Sequence, residues 1–367
     1  MPPSSPIIRV PADALARQVE AILLAWGMEA EPARVTVARL IEADLRGIDS
    51  HGIAMLRYYE EFRQAGHLVF KPAIRVVRET AVTALMDAGG GLGHYPSTLA
   101  TDMVIAKARA AGVAVVAVRN SNHNGAAGVY AQRMAEAGLV GMSGTNVHRA
   151  SIVPTFGAEA MFGTNPIAFA APTRRNRPFV LDMATSTAAI GKFRLAQMHD
   201  KSVPEGWAVD ETGAPLTDPS RALLLRLLTP LGGTRDQGSH KGYGLAAMIE
   251  ILSAVLPGAT ATPLRNREQG PTRPTPNADN RLDVGHFFAA VDPKAFREPG
   301  EFEADMDDMI DALRASKRAN TSQPVLVAGD PEYAAIEERR RDGIPVPAPL
   351  MDMLRGLART AQAPFTL

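Results

Sequence analysis

The run GVAVVAVRN, residues 112–120, leaves the chain little freedom of architecture. Four valines within six positions make a buried β-strand, because β-branched side chains at successive positions need apolar cover on both faces of a sheet. That cover is written beside it. Residues 98–111 are apolar at helical spacing, the segment SNHNGAAG leads into a helix through Tyr130–Ala137, and GLVGMSGTN returns to strand. This alternation predicts an α/β layer arrangement.

The rest of the chain extends the pattern. Upstream, residues 12–26, 32–46 and 53–65 read as three amphipathic helices, and IRVVRET and AVTALMDA read as strands. Downstream, MFGTNPIAFAAP, RPFVLDMATS, GHFFAAVDP and PVLVAG each carry a strand-like run. Helices are expected at 188–197, in SHKGYGLAAMIEILSAVL, at 303–315, and twice within 331–357 around GIPVPAP. PEGWAVDETGAP is rich in turn residues, and 257–281 has no periodicity and reads as a long loop or lid. No internal repeat interrupts this order.

Length and charge narrow the function. At 367 residues the chain exceeds one ordinary hydrophobic core, so two or three lobes are expected. Its 39 basic and 39 acidic residues balance, which removes the electrostatic footprint of a nucleic-acid or membrane-surface protein and points to a small ligand. With no cysteine, disulfides, thiolate catalysis and cysteine-ligated metals are excluded. The segment MPPSSPIIRV lacks the features of a signal peptide and no apolar run approaches membrane-spanning length, so a soluble cytoplasmic protein is expected.

The chemistry must then come from histidine, acids, lysine, arginine, hydroxyls or a cofactor. Gly89, Gly91 and Gly93 follow a strand and precede a helix, but His94 and Pro96 stand where the dinucleotide fingerprint needs its third glycine. The loop reads as a tight turn that lines a cleft through His94. Four of the eight histidines lie in glycine or serine contexts at element ends: DSHGI (His51), GLGHY (His94), SNHNG (His123) and GSHKG (His240). Such placement suits groups that exchange protons near neutral pH. A metal site built on His51, His94, His123 and Asp49 is the rival reading, although HExxH is absent.

Arg57, six residues after His51, lies one turn into the expected third helix, where its guanidinium can hold a carboxylate. In GTNP and LDMATS an apolar strand adjoins small polar residues that let backbone donors approach a ligand. Asp182 can orient a hydroxyl or a histidine there, or cap the following helix. Lys241, with Gly242 and Gly244, opens a helix whose N-terminus can receive an anion. Arg174, Arg175 and Arg177 precede LDMATS and are candidates for a 2′-phosphate.

Taken in order, DSHG, SNHNGAAG, GTNP, LDMATS, PEGWAVD, PLGG, HKGYGL and VLVAGDPE resemble the malate/L-lactate dehydrogenase family, which is unrelated to the Rossmann-fold enzymes of the same name. The resemblance runs from about residue 14 to 347. It implies a mixed-sheet, non-Rossmann NAD(P)-binding domain (119–299) and a helical lobe built from N- and C-terminal segments (1–118 plus 300–367). It further implies a homodimer and an oxidoreductase that uses NAD or NADP on a small 2-oxo or 2-hydroxy carboxylate, or on a cyclic 2-imino acid as some members do.

Carried over residue by residue, the resemblance makes His51 the proton donor, with His123 as the acid/base of other members, and Arg57 the carboxylate anchor beside Ser50. Thr164, Asn165 and Pro166, then Leu181, Asp182, Met183, Ala184, Thr185, Ser186 and Thr187, then His240, Lys241 and Gly242, and finally Gly329 and Asp330 become cofactor-binding, with no metal. Two departures stand out: AGDP replaces the usual Pro-Gly-Glu, and Asn124 follows the histidine of SNHNG where an aromatic is common. They keep a catalytically silent dinucleotide-binding protein among the alternatives.

Overall fold

The computed structural model describes residues 7–265 and 282–367, so residues 266–281, most of the expected lid, lie outside it. The described elements run β1 (Ile7–Val10), α1 (Ala12–Ala25), α2 (Ala30–Leu45), α3 (Leu56–Gln64), β2 (Arg75–Glu79), β3 (Thr83–Asp87), α4 (His94–Ala111), β4 (Val113–Ser121), α5 (Gly128–Glu136) and β5 (Val140–Thr145). They continue with β6 (Ile167–Ala171), β7 (Phe179–Met183), α6 (Ile190–Met198), α7 (Pro219–Leu225), α8 (Ser239–Glu250), α9 (Thr262–Arg265), β8 (Val284–Val291), α10 (Glu301–Ala315), α11 (Asp330–Asp342), β9 (Ile344–Pro347) and α12 (Ala348–Ala361).

Seven strands form one mixed sheet in the order β2-β3-β4-β8-β5-β6-β7. Only β3 and β4 run parallel; the other neighbours are antiparallel. The valine run is β4, near the middle of the sheet, with Val116 and Val118 fully buried beside Val104 of α4, Tyr130 of α5 and Phe288 of β8. Gly112 ends α4 in the left-handed conformation (φ 85°) that a residue with a Cβ adopts at a cost, which explains a glycine directly before the valines. Strands β2, β3 and most of β4 precede residue 119, so the sheet draws on both sides of that position.

A second core is helical. Leu15, Val19, Ile22 and Leu23 of α1 meet Leu40 and Ile41 of α2, Leu56 and Tyr59 of α3, and Met351 and Leu354 of α12. Strands β1 and β9 pair antiparallel, Ile7 with Pro347 through Val10 with Ile344, and tie the two ends of the described chain together. A smaller cluster around Phe193, Val203, Ala208 and Leu228 holds α6 and α7.

Three local expectations need correction. The helix expected from 98 begins at His94, because Pro96 fits a first helical turn where its missing N–H is not needed. PVLVAG forms no strand: Val327 and its neighbours instead feed the start of α11, where Asp330 Oδ2 accepts the Val327 amide at 2.8 Å. GIPVPAP, placed between two helices, carries β9.

Candidate active site

The turn DSHG is held from below. After α2 the chain makes two short 3-10 turns, Asp49–His51 and Ile53–Met55, before α3 begins. Asp44, buried in the last turn of α2, accepts the Ile53 amide at 2.9 Å. Its carboxyl lies directly under residue 52, where a Cβ would fall 1.8 Å from Oδ1. Glycine is therefore required at 52 by space. Burial pushes the Asp44 carboxyl up to about 8, so an uncharged acid under the turn carries part of the population at neutral pH. Asp49 is not free to serve His51: its carboxylate is held by Arg339 of α11, with one contact at 3.2 Å, and Arg339 also reaches the Asp44 carbonyl.

This turn delivers His51 against His123. The rings stack with centroids 5.6 Å apart and planes 25° from parallel. His123 comes from the irregular segment after β4, and its Nδ1 lies 2.8 Å from the hydroxyl of Tyr59 and 3.2 Å from the amide of Gly125. An amide N–H can only donate, so Nδ1 is an acceptor and the ring proton sits on Nε2. Burial, with His51 and His94 nearby, holds His123 well below its ordinary range. It is thus a neutral hydrogen-bond donor. His51 is lowered by burial alone, while its Nδ1 lies 2.9 Å from Ser50 Oγ.

Two stacked imidazoles do not both carry charge, and His51, the less strongly lowered of the two, is the one able to change it. Removing the Tyr59 hydroxyl leaves the Gly125 amide alone to hold His123 in its tautomer and orientation: Tyr59→Phe is expected to lower kcat/KM by about tenfold, the equivalent of one buried hydrogen bond, with cofactor affinity unchanged. A variant as active as the parent would remove Tyr59 from the site.

His51 stands where two cavities meet. An inner chamber of about 100 Å³ is lined by His51, His123, Asn124, Thr145, Asn146 and His148. An outer cleft of about 1120 Å³ shares His51, Gly125, Thr164 and Pro166 with it and extends past Asp182, Met183 and Ala184 to Lys192, Arg194 and Arg226. The chamber suits a small acid and the cleft a molecule of cofactor size.

Of the sequence-derived candidates, Ser50, His51, Arg57, Thr164, Pro166, Asp182, Met183 and Ala184 line the outer cleft. Arg57 sits on its wall with an exposed guanidinium paired to Glu61 at 3.1 Å. Asp182 accepts the Gly128 amide at 2.8 Å, so it caps α5, which precedes it in the chain, and not the helix that follows. Burial pushes Asp182 up to about 6.

Asn165, Thr185, Ser186 and Thr187 lie behind the wall. Asn165 donates to Glu250 at 2.8 Å, Thr185 Oγ1 to the Thr164 carbonyl at 2.9 Å, Ser186 to the Ala188 carbonyl at 3.0 Å and Thr187 to the Pro230 carbonyl at 2.5 Å. Leu181 pairs with Phe169 in the sheet.

His240 and Lys241 are exposed and line neither cavity, and His240 faces Arg235 at 3.0 Å. Gly242 packs on the Leu231 backbone, which a Cβ would meet at 2.3 Å. Gly329 caps α11, and Asp330 is held by Arg314 at 2.6 Å.

Three further expectations change. His94 does not line the cleft: it is completely buried, with neither ring nitrogen partnered among the described residues, and packs edge-on against Tyr59. Arg175 pairs with Asp308 and Asp311 of α10 and Arg177 with Glu337, and neither lines the outer cleft. Among the described residues no group of three or more histidines and acids is arranged to hold a metal ion. Sequence reasoning missed Tyr59, Asp44, Lys192, Arg194 and Arg226. None of these lies in a glycine-rich or hydroxyl-rich motif, which was the only signal available for them.

The site is thus a histidine pair between a small chamber and a larger cleft, on a mixed sheet flanked by helices. The malate/L-lactate dehydrogenase family model matches residues 10–355. The chain is 37% identical over 354 residues to the malate dehydrogenase of Pyrococcus abyssi, covering 96% of this chain and 94% of that one. It is 36% identical over 338 residues to the L-sulfolactate dehydrogenase of Methanocaldococcus jannaschii, covering 91% and 92%. The crystal structure of malate dehydrogenase from Entamoeba histolytica superposes with a TM-score of 0.91 at 32% identity, over 99% of this chain and all of that one. The chain belongs to the malate/L-lactate dehydrogenase family, a family of 2-hydroxy-acid dehydrogenases.

Proposed function

We propose that the protein interconverts a small 2-hydroxy acid and its 2-oxo acid with NAD or NADP, His51 moving the proton. The observation that carries this reading is the position of His51 at the mouth of the inner chamber, stacked on a histidine whose tautomer is fixed. The cleft fits a dinucleotide: besides its size it offers the open first turn of α6, where no side chain caps the helix and a Cβ on Gly191 would meet nothing within 4 Å. Thr164, Pro166, Asp182, Met183 and Ala184 would hold the cofactor along β7, and the nicotinamide supplies or accepts the hydride.

The chain's own part is acid–base and positional. Charged His51 gives a proton to the substrate oxygen in reduction, and neutral His51 takes it back in oxidation. His123 Nε2–H donates a hydrogen bond without changing charge. Arg57 is the family-derived anchor for the substrate carboxylate; to serve, it must exchange Glu61 for the ligand, a small cost for an exposed pair.

The experiment is a titration with NADH and NADPH followed by quenching of Trp207, whose ring lies 5.5 Å from the cleft residue Lys192, with pyruvate, oxaloacetate and a cyclic imino acid then added in turn. Oxidation of the cofactor by one of these acids is expected; binding without turnover of any would favour a silent dinucleotide-binding protein.

The pH dependence tests His51 separately. Its lowered value puts the transition below its ordinary 6.5. Reduction needs the charged form, so its kcat/KM falls as pH rises through that point. Oxidation needs the neutral form, so its kcat/KM rises over the same interval and then levels. Limbs of the same sign in both directions would remove His51 as the proton carrier.

A further inference from the structure

Three cations of the outer cleft have no acid partner. Lys192 and Arg194 project from the start of α6, and Arg226 follows α7; none forms a salt bridge among the described residues, whereas Arg57 of the same cleft does. Two of them are neighbours at α3: Arg194 donates to the Tyr58 hydroxyl at 3.2 Å, and Arg226 feels both Arg194 and Tyr58, while the Lys192 ammonium lies over the Trp207 ring, 5.5 Å from its centroid. The two acids that line this cleft, Asp182 and Glu332, face each other electrostatically from β7 and α11 and leave the cations unbalanced.

Arg226 adds a second observation. It is half-buried and holds φ 54°, ψ 39°, the left-handed conformation at a helix end where glycine is the ordinary residue. An arginine kept in a strained backbone on a cavity wall points to use of its side chain.

We propose that Lys192, Arg194 and Arg226 form an oxyanion subsite in the outer cleft, filled either by a phosphate of the dinucleotide or by the distal acid group of a dicarboxylic or sulfonic hydroxy acid. The naming of these two sources rests on the dehydrogenase reading above; the existence of the subsite does not. Planar guanidinium forks and a mobile ammonium are the donor set that both oxyanions take, and the uncapped first turn of α6 adds amide donors to it.

Arg226→Gly is the decisive variant, because glycine adopts the left-handed backbone without strain and its folding is not expected to suffer. Calorimetric titration of the full chain with inorganic pyrophosphate and with malonate is compared for the parent, Arg226→Gly, and the exposed control Arg78→Gln. At least one probe is expected to bind the parent, with a Kd at least about tenfold weaker in Arg226→Gly, since one lost charge-assisted contact has that size, and unchanged in the control. Absence of binding to the parent, or equal binding by parent and Arg226→Gly, would overturn the subsite.

The source follows from a second arm. A loss confined to NADPH or NADH affinity assigns the phosphate; a rise in KM for oxaloacetate but not pyruvate assigns the distal acid. If the parent oxidises neither cofactor with any acid, the dehydrogenase reading fails while the probe titration still decides the subsite.

Discussion

His51→Ala is expected to lower kcat/KM in both directions by about 100- to 10,000-fold, the usual weight of a positioned general acid or base, with NAD(P)H affinity measured by Trp207 quenching nearly intact. The split follows from geometry. His51 touches the inner chamber and stacks on His123, and of the outer cleft, where the proposed cofactor would lie, it is one lining residue beside Asp182 and Met183 of β7 and Ile190, Gly191, Lys192 and Arg194 of α6. The variant should also lose the opposed pH limbs, because His123, whose Nδ1 already accepts two hydrogen bonds, cannot take a proton there without losing the Gly125 bond and reversing the Tyr59 one. Retention of the limbs, with activity within a few fold of the parent, would move the proton chemistry to another group.

Gly52→Ala is expected to be as damaging through a different route. The new methyl would lie 1.8 to 2.4 Å from the three carboxyl atoms of Asp44, and Asp44 is itself buried in α2. Neither partner can swing into solvent, so the turn has to move. We expect a destabilisation of about 3 kcal/mol, the upper part of the range for overpacking a core, together with loss of activity as His51 is displaced. The paired variant Asp44→Ala/Gly52→Ala isolates the cause: if the clash is the source, the second substitution costs far less in the Asp44→Ala background than in the parent. Additive losses in thermal or denaturant unfolding would show that the carboxyl is not what forbids a side chain at 52.

These two neighbouring residues show what the sequence could and could not disclose. The strand at 113–121 and the helices around it were legible because valine density and helical spacing are local signals, and they sufficed for a layered α/β fold. The histidine at 51 was legible as a residue at an element end. The reason for the glycine beside it was not, because Asp44 lies eight positions upstream in what reads as an ordinary helix, and only the backtracking of the chain over α2 brings the two together.

Likewise the glycine loop before His94 looked like a rim of the cleft. In the fold Gly93 lies against the backbone of the segment that bears His123, where a Cβ would meet the Asn122 carbonyl at 2.2 Å. The loop supports the site from behind, a role that no spacing within the loop encodes. Lys192, Arg194 and Arg226 carry no motif at all, and only the cavity gathers them. In the sequence Asp182 reads either as orienting a hydroxyl or a histidine or as capping the helix that follows, but the helix it caps begins with Gly128, 54 residues back in the chain, a distance no local pattern bridges.

The pairing of β1 with β9 has a consequence for how such a chain reaches its working state. The lobe that presents His51 packs residues 15–59 against Met351 and Leu354, and its marginal two-stranded ribbon joins positions about 340 residues apart, Ile7 with Pro347. During synthesis from the N-terminus, the helices around His51 must wait, incompletely covered, until β9 and α12 have been made, while most strands of the central sheet have their partners earlier. Long-range closure of this kind is slow, and chains stopped before residue 344 are expected to hold an assembled sheet beside an unfinished helical lobe, bound by chaperones and devoid of turnover.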